Sequence, residues 1–237
     1  IPNCVTYDPS FAFEVAVIMQ DGINRMYGEK QEDVFYYMTT LNEVMDQPAM
    51  PAGAEEGIRK GLYKFETVEG KKGKGHVQLL GSGAIMRHVR EAAQILAKDY
   101  GVTSDVFSAP SFNELAREGH DAARWNLLHP TAGQRVPYVA QVLADLPTVA
   151  STDYVKAYAD QIRAFVPSKH YHVLGTDGFG RSDSRANLRE HFEVDARYVV
   201  VAALSQLAKE GTVSSQVVAD AIAKFGLNVD RINPLYA

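Results

Sequence analysis

The sequence predicts an α/β domain built on a mostly parallel sheet with helices on both faces. Three observations lead there. Strand-like and helix-like segments alternate from residue 55 onward, the order that generates parallel strands with crossover helices. A strand passes into a helix through a short glycine-bearing turn at Gly81-Ser82-Gly83. Of the 237 residues, 46% are hydrophobic and 22% charged, the balance of a chain that buries a core and not of a disordered or collagen-like one.

The first forty residues predict one helix and one strand. Ser10 is placed to cap a helix whose apolar positions Phe13, Val17, Ile18, Ile23 and Met26 recur at helical spacing, with Gly28 as its stop. Asp33 to Thr40, rich in aromatic and apolar residues, reads as a buried strand. Two elements cannot close a core, so this pair is expected to need partners from outside, or to be poorly ordered alone. Pro48, Pro51 and Gly53 break the pattern. The expected organisation is therefore an N-terminal piece at 1–41, a linker at 42–54 and a larger domain at 55–237.

In that domain, Glu55 and Glu56 open a short helix that Arg59 and Lys60 close, the charge order a helix dipole favours. Leu62 to Val68 and His76 to Leu80 read as strands joined by a solvated hairpin turn, Gly70 to Gly75. Ile85, Val89, Ala92, Ala93 and Leu96 share a helical face. Val102 to Ala109 is the next strand, and Ser111 with Glu114 is a capping-box signature for the helix after it. A helix over 137–146, a strand over Thr148 to Ser151, and a helix carrying Val155, Tyr158, Ile162 and Phe165 follow. Tyr171 to Gly175 is the last strand. The remainder is helical with breaks near Gly180 and Gly211, and Tyr198 to Ala208 is a buried helix.

Composition narrows the function. A formal charge of -5 argues against nucleic acid or an anionic membrane as partner. No apolar run reaches the length of a membrane span. Cys4 is the single cysteine, so no internal disulfide is expected and a reducing, cytoplasmic setting fits. The chain opens at Ile1 with neither initiator methionine nor leader, and is expected to be a piece of something longer.

Several residues invite a chemical reading. Gly81-Ser82-Gly83 could cradle a phosphate, but it lacks the lysine-serine ending of a P-loop and the third glycine of a dinucleotide turn. A tight strand-to-helix turn is the plainer reading. Lys71, Lys72 and Lys74 could hold an anion, although a solvated turn explains them. His170 and His172 fall on one side of a strand but have no third ligand at a recognisable spacing. The loop from Gly175 to Arg185 follows a strand, where ligands of parallel sheets gather. Asp177, Phe179, Arg181 and Arg185 are its candidate cleft or interface residues. Capping by Asp177 and local pairing by the arginines explain the same loop equally well.

Five stretches carry a resemblance: Met26-Tyr27-Gly28-Glu29-Lys30-Gln31, Pro48-Ala49-Met50-Pro51, Gly53 to Ile58, Leu79-Leu80-Gly81-Ser82-Gly83, and Leu174 to Ser182. Together and in order, they resemble the carboxy-terminal part of the bacterial homodimeric pyruvate dehydrogenase E1 family. Asp177 to Ser182 also resembles the looser pattern of transketolase C-terminal domains. The resemblance implies a five-stranded, mostly parallel sheet in three α/β/α layers from about Gly53 onward, preceded by the last helix and strand of a pyrimidine-side domain. It implies a parent enzyme that uses thiamine diphosphate and Mg²⁺ to decarboxylate pyruvate. That parent passes the acetyl group to the lipoyl group of a dihydrolipoyl acetyltransferase core and works as a homodimer.

The family's diphosphate motif has only Thr176-Asp177-Gly178 as a near match here, and no asparagine lies near Gln206. No catalytic, cofactor or metal residue is therefore carried over, and the segment is expected to be inactive alone, serving packing, dimerisation and the cleft rim. Val44 to Gln47 and Gly75-His76 depart from the enteric form of the family, in a linker and a turn. Two other readings stand beside this one. One is a free-standing α/β module that binds a phosphorylated ligand at Gly81 to Gly83 and the Asp177 loop. The other is an interaction protein that docks a partner through its first helix and strand.

Overall fold

The computed structural model describes residues 1–237. Its first strand, β1 (Cys4–Tyr7), was not apparent from the residue pattern, because four residues are too few for an alternation to declare itself. Helix α1 (Ala12–Tyr27) follows, and β2 (Phe35–Met38) lies parallel to β1. The expectation of a buried strand fails here. Phe35 and Tyr37 are 44% and 60% exposed, while Tyr36 and Met38 turn inward. A two-stranded sheet covered on one side alternates in this way.

The cap of α1 also differs from expectation. The helix starts after Phe11, and Glu14 reaches back to accept the N–H groups of Ser10 and Phe11, the latter at 3.0 Å. The Ser10 hydroxyl is buried without a partner. Val5, Tyr7 and Ile18 bury their apolar surface against Ala54, Ile58 and Tyr63, so the chain itself supplies much of the cover that the N-terminal piece needs.

Residues 42–54 have no regular structure. Helix α2 (Glu55–Lys60) ends on Gly61 at φ +96°, a left-handed position glycine adopts without strain. The sheet then takes β3 (Tyr63–Val68), β4 (His76–Gly81), β5 (Thr103–Ser108), β6 (Thr148–Ser151) and β7 (Tyr171–Leu174), in the spatial order β3-β5-β4-β6-β7. All neighbours run parallel except β3, which is antiparallel to β5 at the edge. The expected hairpin is thus absent, since β5 lies between β3 and β4. The Gly70–Gly75 segment instead crosses the start of β5, where the Lys71 N–H donates to the Gly101 carbonyl at 2.7 Å.

Seven further helices surround the sheet: α3 (Met86–Ile95), α4 (Phe112–Leu128), α5 (Tyr138–Val142), α6 (Lys156–Asp160), α7 (Arg185–His191), α8 (Ala196–Glu210) and α9 (Ser215–Lys224). The expected helices over 137–146 and 155–165 shorten to α5 and α6, the latter followed by a 3₁₀ turn at Arg163–Phe165. On one face, Val77, Leu79 and Val106 pack on Val89, Ala93, Val200 and Leu204 of α3 and α8. On the other, Leu80, Phe107 and Ala150 pack on Phe112, Leu115, Val139 and Ile162. Three layers result, with helices on both faces. No helix is long and apolar enough to cross a membrane.

Candidate functional site

In a parallel sheet the carboxyl ends of the strands share one edge, where backbone groups and side chains are free to meet a ligand or another layer. Here the β1–α1–β2 unit covers that edge. The Asp8 N–H donates to the Pro110 carbonyl beyond β5 at 2.7 Å, and the Gly83 N–H beyond β4 donates to the Asp8 carbonyl at 3.1 Å. Ser111 caps α4 by accepting the Glu114 N–H, and its hydroxyl donates to the Thr6 carbonyl at 2.6 Å. The two units share a polar seam centred on three acidic side chains.

Glu14 is the first and is wholly buried. Besides the two backbone donors, one carboxylate oxygen accepts the hydroxyls of Tyr63 at 2.7 Å and Ser108 at 2.6 Å. Burial pushes its pKa up, and these four donors offset that push only in part. The same carboxylate raises the Tyr63 phenol, which burial already holds far above its ordinary range.

Asp8 is the second. It is 3% exposed, and one oxygen accepts the Thr39 hydroxyl at 2.8 Å while the other has no assigned partner. Burial raises its pKa despite that hydroxyl, and burial does the same for Asp153 nearby. A cavity of about 180 Å³ opens beside Asp8, lined by Thr39, Tyr37, Tyr154 and Tyr158. The Gly81–Gly83 turn lies against this carboxylate. A Cβ on Gly83, whose φ is +50°, would stand 2.6 Å from an Asp8 oxygen. The turn therefore packs directly against an acidic side chain. The close approach of Gly83 to Asp8 supports the reading of Gly81 to Gly83 as a tight strand-to-helix turn.

Glu43 is the third and anchors the unstructured segment. Its carboxylate accepts both terminal nitrogens of Arg189, one at 3.0 Å, and an Arg87 nitrogen at 2.6 Å. The Glu43 and Arg189 side chains are each 9% exposed. The Arg189 hydrogen bonds, aided by Arg87, lower the Glu43 pKa from 4.5 to about 2 against the opposing effect of burial. His88 sits beside the two arginines, and burial with their charges lowers its pKa to about 4.

The Gly175–Arg185 loop divides among several tasks. Asp177 accepts the Lys156 N–H at 3.0 Å and lies 3.7 Å from that lysine's ammonium, fixing the start of α6. Arg185 reaches back 143 residues to Asn42, donating to its side-chain oxygen at 2.6 Å. Phe179 and Arg181 are exposed. Since the Asp177 carboxylate is committed to Lys156, and no three His, Cys, Asp or Glu side chains gather as a metal site, these residues do not fit a metal–diphosphate group. His172 lies in β7, where burial lowers its pKa, and His170 lies just before the strand. Cys4 is a half-buried free thiol on β1.

Sequence reasoning missed Asp8, Glu14, Glu43 and Arg189. Only Glu14 left a trace, as an acidic residue at the third position of a helix that starts one residue later than expected.

Comparison with known proteins agrees with this geometry. A family model described as the transketolase-like TK C-terminal domain matches residues 61–195, and one described as the pyruvate dehydrogenase E1 component middle domain matches residues 1–48. The whole chain is 98% identical to a pyruvate dehydrogenase E1 component from Haemophilus influenzae, covering 27% of that protein. It is 69% identical over its whole length to the Escherichia coli K12 component, covering 26% of it. A third relative, from Pseudomonas aeruginosa, is 56% identical over 99% of the chain and 27% of its own length. The chain thus spans about a quarter of the length of these relatives. In structure it resembles the Campylobacter jejuni transketolase (TM-score 0.57, 18% identity, covering 86% of this chain and 26% of that one). It also resembles the Leishmania mexicana transketolase (TM-score 0.55, 21% identity, 91% and 28% covered). The matched domain family and the end-to-end similarity to pyruvate dehydrogenase E1 components converge: the chain belongs to the transketolase-like C-terminal domain family.

Proposed function

We propose that this chain acts as the C-terminal segment of a pyruvate dehydrogenase E1 enzyme. Such an enzyme decarboxylates pyruvate with thiamine diphosphate and Mg²⁺ and reductively acetylates the lipoyl group of a dihydrolipoyl acetyltransferase within the pyruvate dehydrogenase complex. The observation that carries this reading is the similarity of the whole chain, end to end, to E1 components.

The segment's own part is mechanical. The buried seam of Asp8, Glu14 and Glu43 locks the β1–α1–β2 unit to the five-stranded domain, so elements at 1–41 keep a fixed orientation to those after 54. Phe179 and Arg181 stand exposed at the strand-end edge, where they would form part of a cleft rim or a contact with a second copy. Residues 1–41 are proposed as the end of a middle domain, 42–54 as a pinned linker, and 55–237 as the C-terminal domain. A homodimer in the cytoplasm is the proposed working state. Titration calorimetry with thiamine diphosphate, with and without Mg²⁺, tests the division of labour: the 237-residue chain should show no Mg²⁺-dependent binding, whereas a full-length relative should. Mg²⁺-dependent micromolar binding by the segment alone would overturn the proposal.

A further inference from the structure

The amino end of the sheet, opposite the seam, carries a feature that the proposed function does not use. Because the Gly70–Gly75 segment crosses the start of β5, it brings Lys71 and Lys74 to the end of α3. Their stems lie over Gly101: a Cβ there would meet Lys71 Cβ at 3.2 Å and Lys74 Cγ at 3.3 Å. After α3 the chain closes in a π-helical turn, Leu96–Tyr100. Such turns are rare and frequent at functional sites, and this one adds Lys98 and Tyr100 to the same wall.

Lys71, Lys74 and Lys98 line one cavity of about 510 Å³, within the size range of small-ligand sites. None of the three is held by a carboxylate. Asp99, the one acidic side chain in the lining, is engaged by Lys224 at 2.9 Å. Tyr100 also lines the cavity, and its hydroxyl is buried without a hydrogen-bond partner. The floor is apolar, made by Val102, Leu204, Val213 and Val217.

Three exposed lysines line this one concavity, and in a chain of net charge -5 they make a local positive field. A phosphate group meets it best: it is close to doubly charged at neutral pH and offers several acceptor oxygens, and lysine binds it as a point charge. The apolar floor would take the organic part of the same molecule. We propose that this cavity is a binding site for a phosphate-bearing small organic molecule, held by Lys71, Lys74 and Lys98. The site is independent of the seam.

Titration calorimetry on the 237-residue chain tests this, with adenosine diphosphate, inorganic pyrophosphate and an oligoglutamate peptide as probes. Adenosine diphosphate should bind saturably and more tightly than pyrophosphate, the difference reporting the floor. Replacing one lysine by alanine should weaken it roughly fivefold. Lys71→Ala, Lys74→Ala and Lys98→Ala together should weaken it about a hundredfold if their effects add. An unchanged circular dichroism melt would show that each variant folds. Four results would overturn the proposal: no heat at millimolar adenosine diphosphate, an affinity unmoved by the triple substitution, pyrophosphate binding as tightly as the nucleotide, or binding of the peptide alone.

Discussion

Replacing Glu43 by glutamine tests whether the linker is pinned electrostatically. The folded state lowers the Glu43 pKa from 4.5 to about 2, a difference that corresponds to about 3 kcal/mol at neutral pH. Arg87, one of its partners, is half exposed, and solvent weakens that share, so about 2 kcal/mol is the expected loss for Glu43→Gln at pH 7. A depressed carboxylate pKa stabilises the fold above the unfolded value, near pH 4.5, and the contribution disappears as pH falls through about 2. Urea denaturation of wild type and variant at pH 7 and at pH 3 separates this from a general packing defect. The gap between the two proteins should shrink by more than half at the lower pH. A gap below about 0.5 kcal/mol at neutral pH, or one that does not change with pH, would refute the argument.

Other expected outcomes follow from the same geometry. Glu14→Ala leaves two backbone donors and the hydroxyls of Tyr63 and Ser108 without their acceptor, so urea unfolding should show a loss of about 3 kcal/mol or more. Glu14→Gln, which keeps an acceptor oxygen and lets the hydroxyls reverse, should lose less than half of that. Gly119→Ala places a Cβ 2.4 Å from the Phe165 ring, and its thermal melt should fall by an amount equivalent to about 1–3 kcal/mol. Limited proteolysis should cut first between Pro48 and Gly53, since this stretch has no regular structure. The Glu43→Gln chain should be cut there faster than the wild type.

Much of the fold is legible in the residues because it rests on local rules. The strand at Thr148–Ser151, the Ser111 cap with Glu114, and the glycines that end α2 and the turn after α3 each follow from spacing within a few positions. Short elements were less legible. β1 has four residues and left no periodicity, and α5 stops at five because Leu143 turns extended. The candidate site was the least legible part. Asp177 and Arg185 stand in one loop, yet the first secures α6 and the second binds Asn42.

The sequence by itself determined the alternation of elements, hence a parallel α/β sheet with helices on both faces, and its motifs pointed to the family. Tertiary structure alone decided that β5 separates β3 from β4, that Glu43 meets Arg189 across 146 positions, and that Lys71, Lys74 and Lys98 share a cavity. The reason is physical. Periodicity and capping act between residues a few positions apart, whereas strand order and the pairing of buried charges are fixed by which distant surfaces must cover one another.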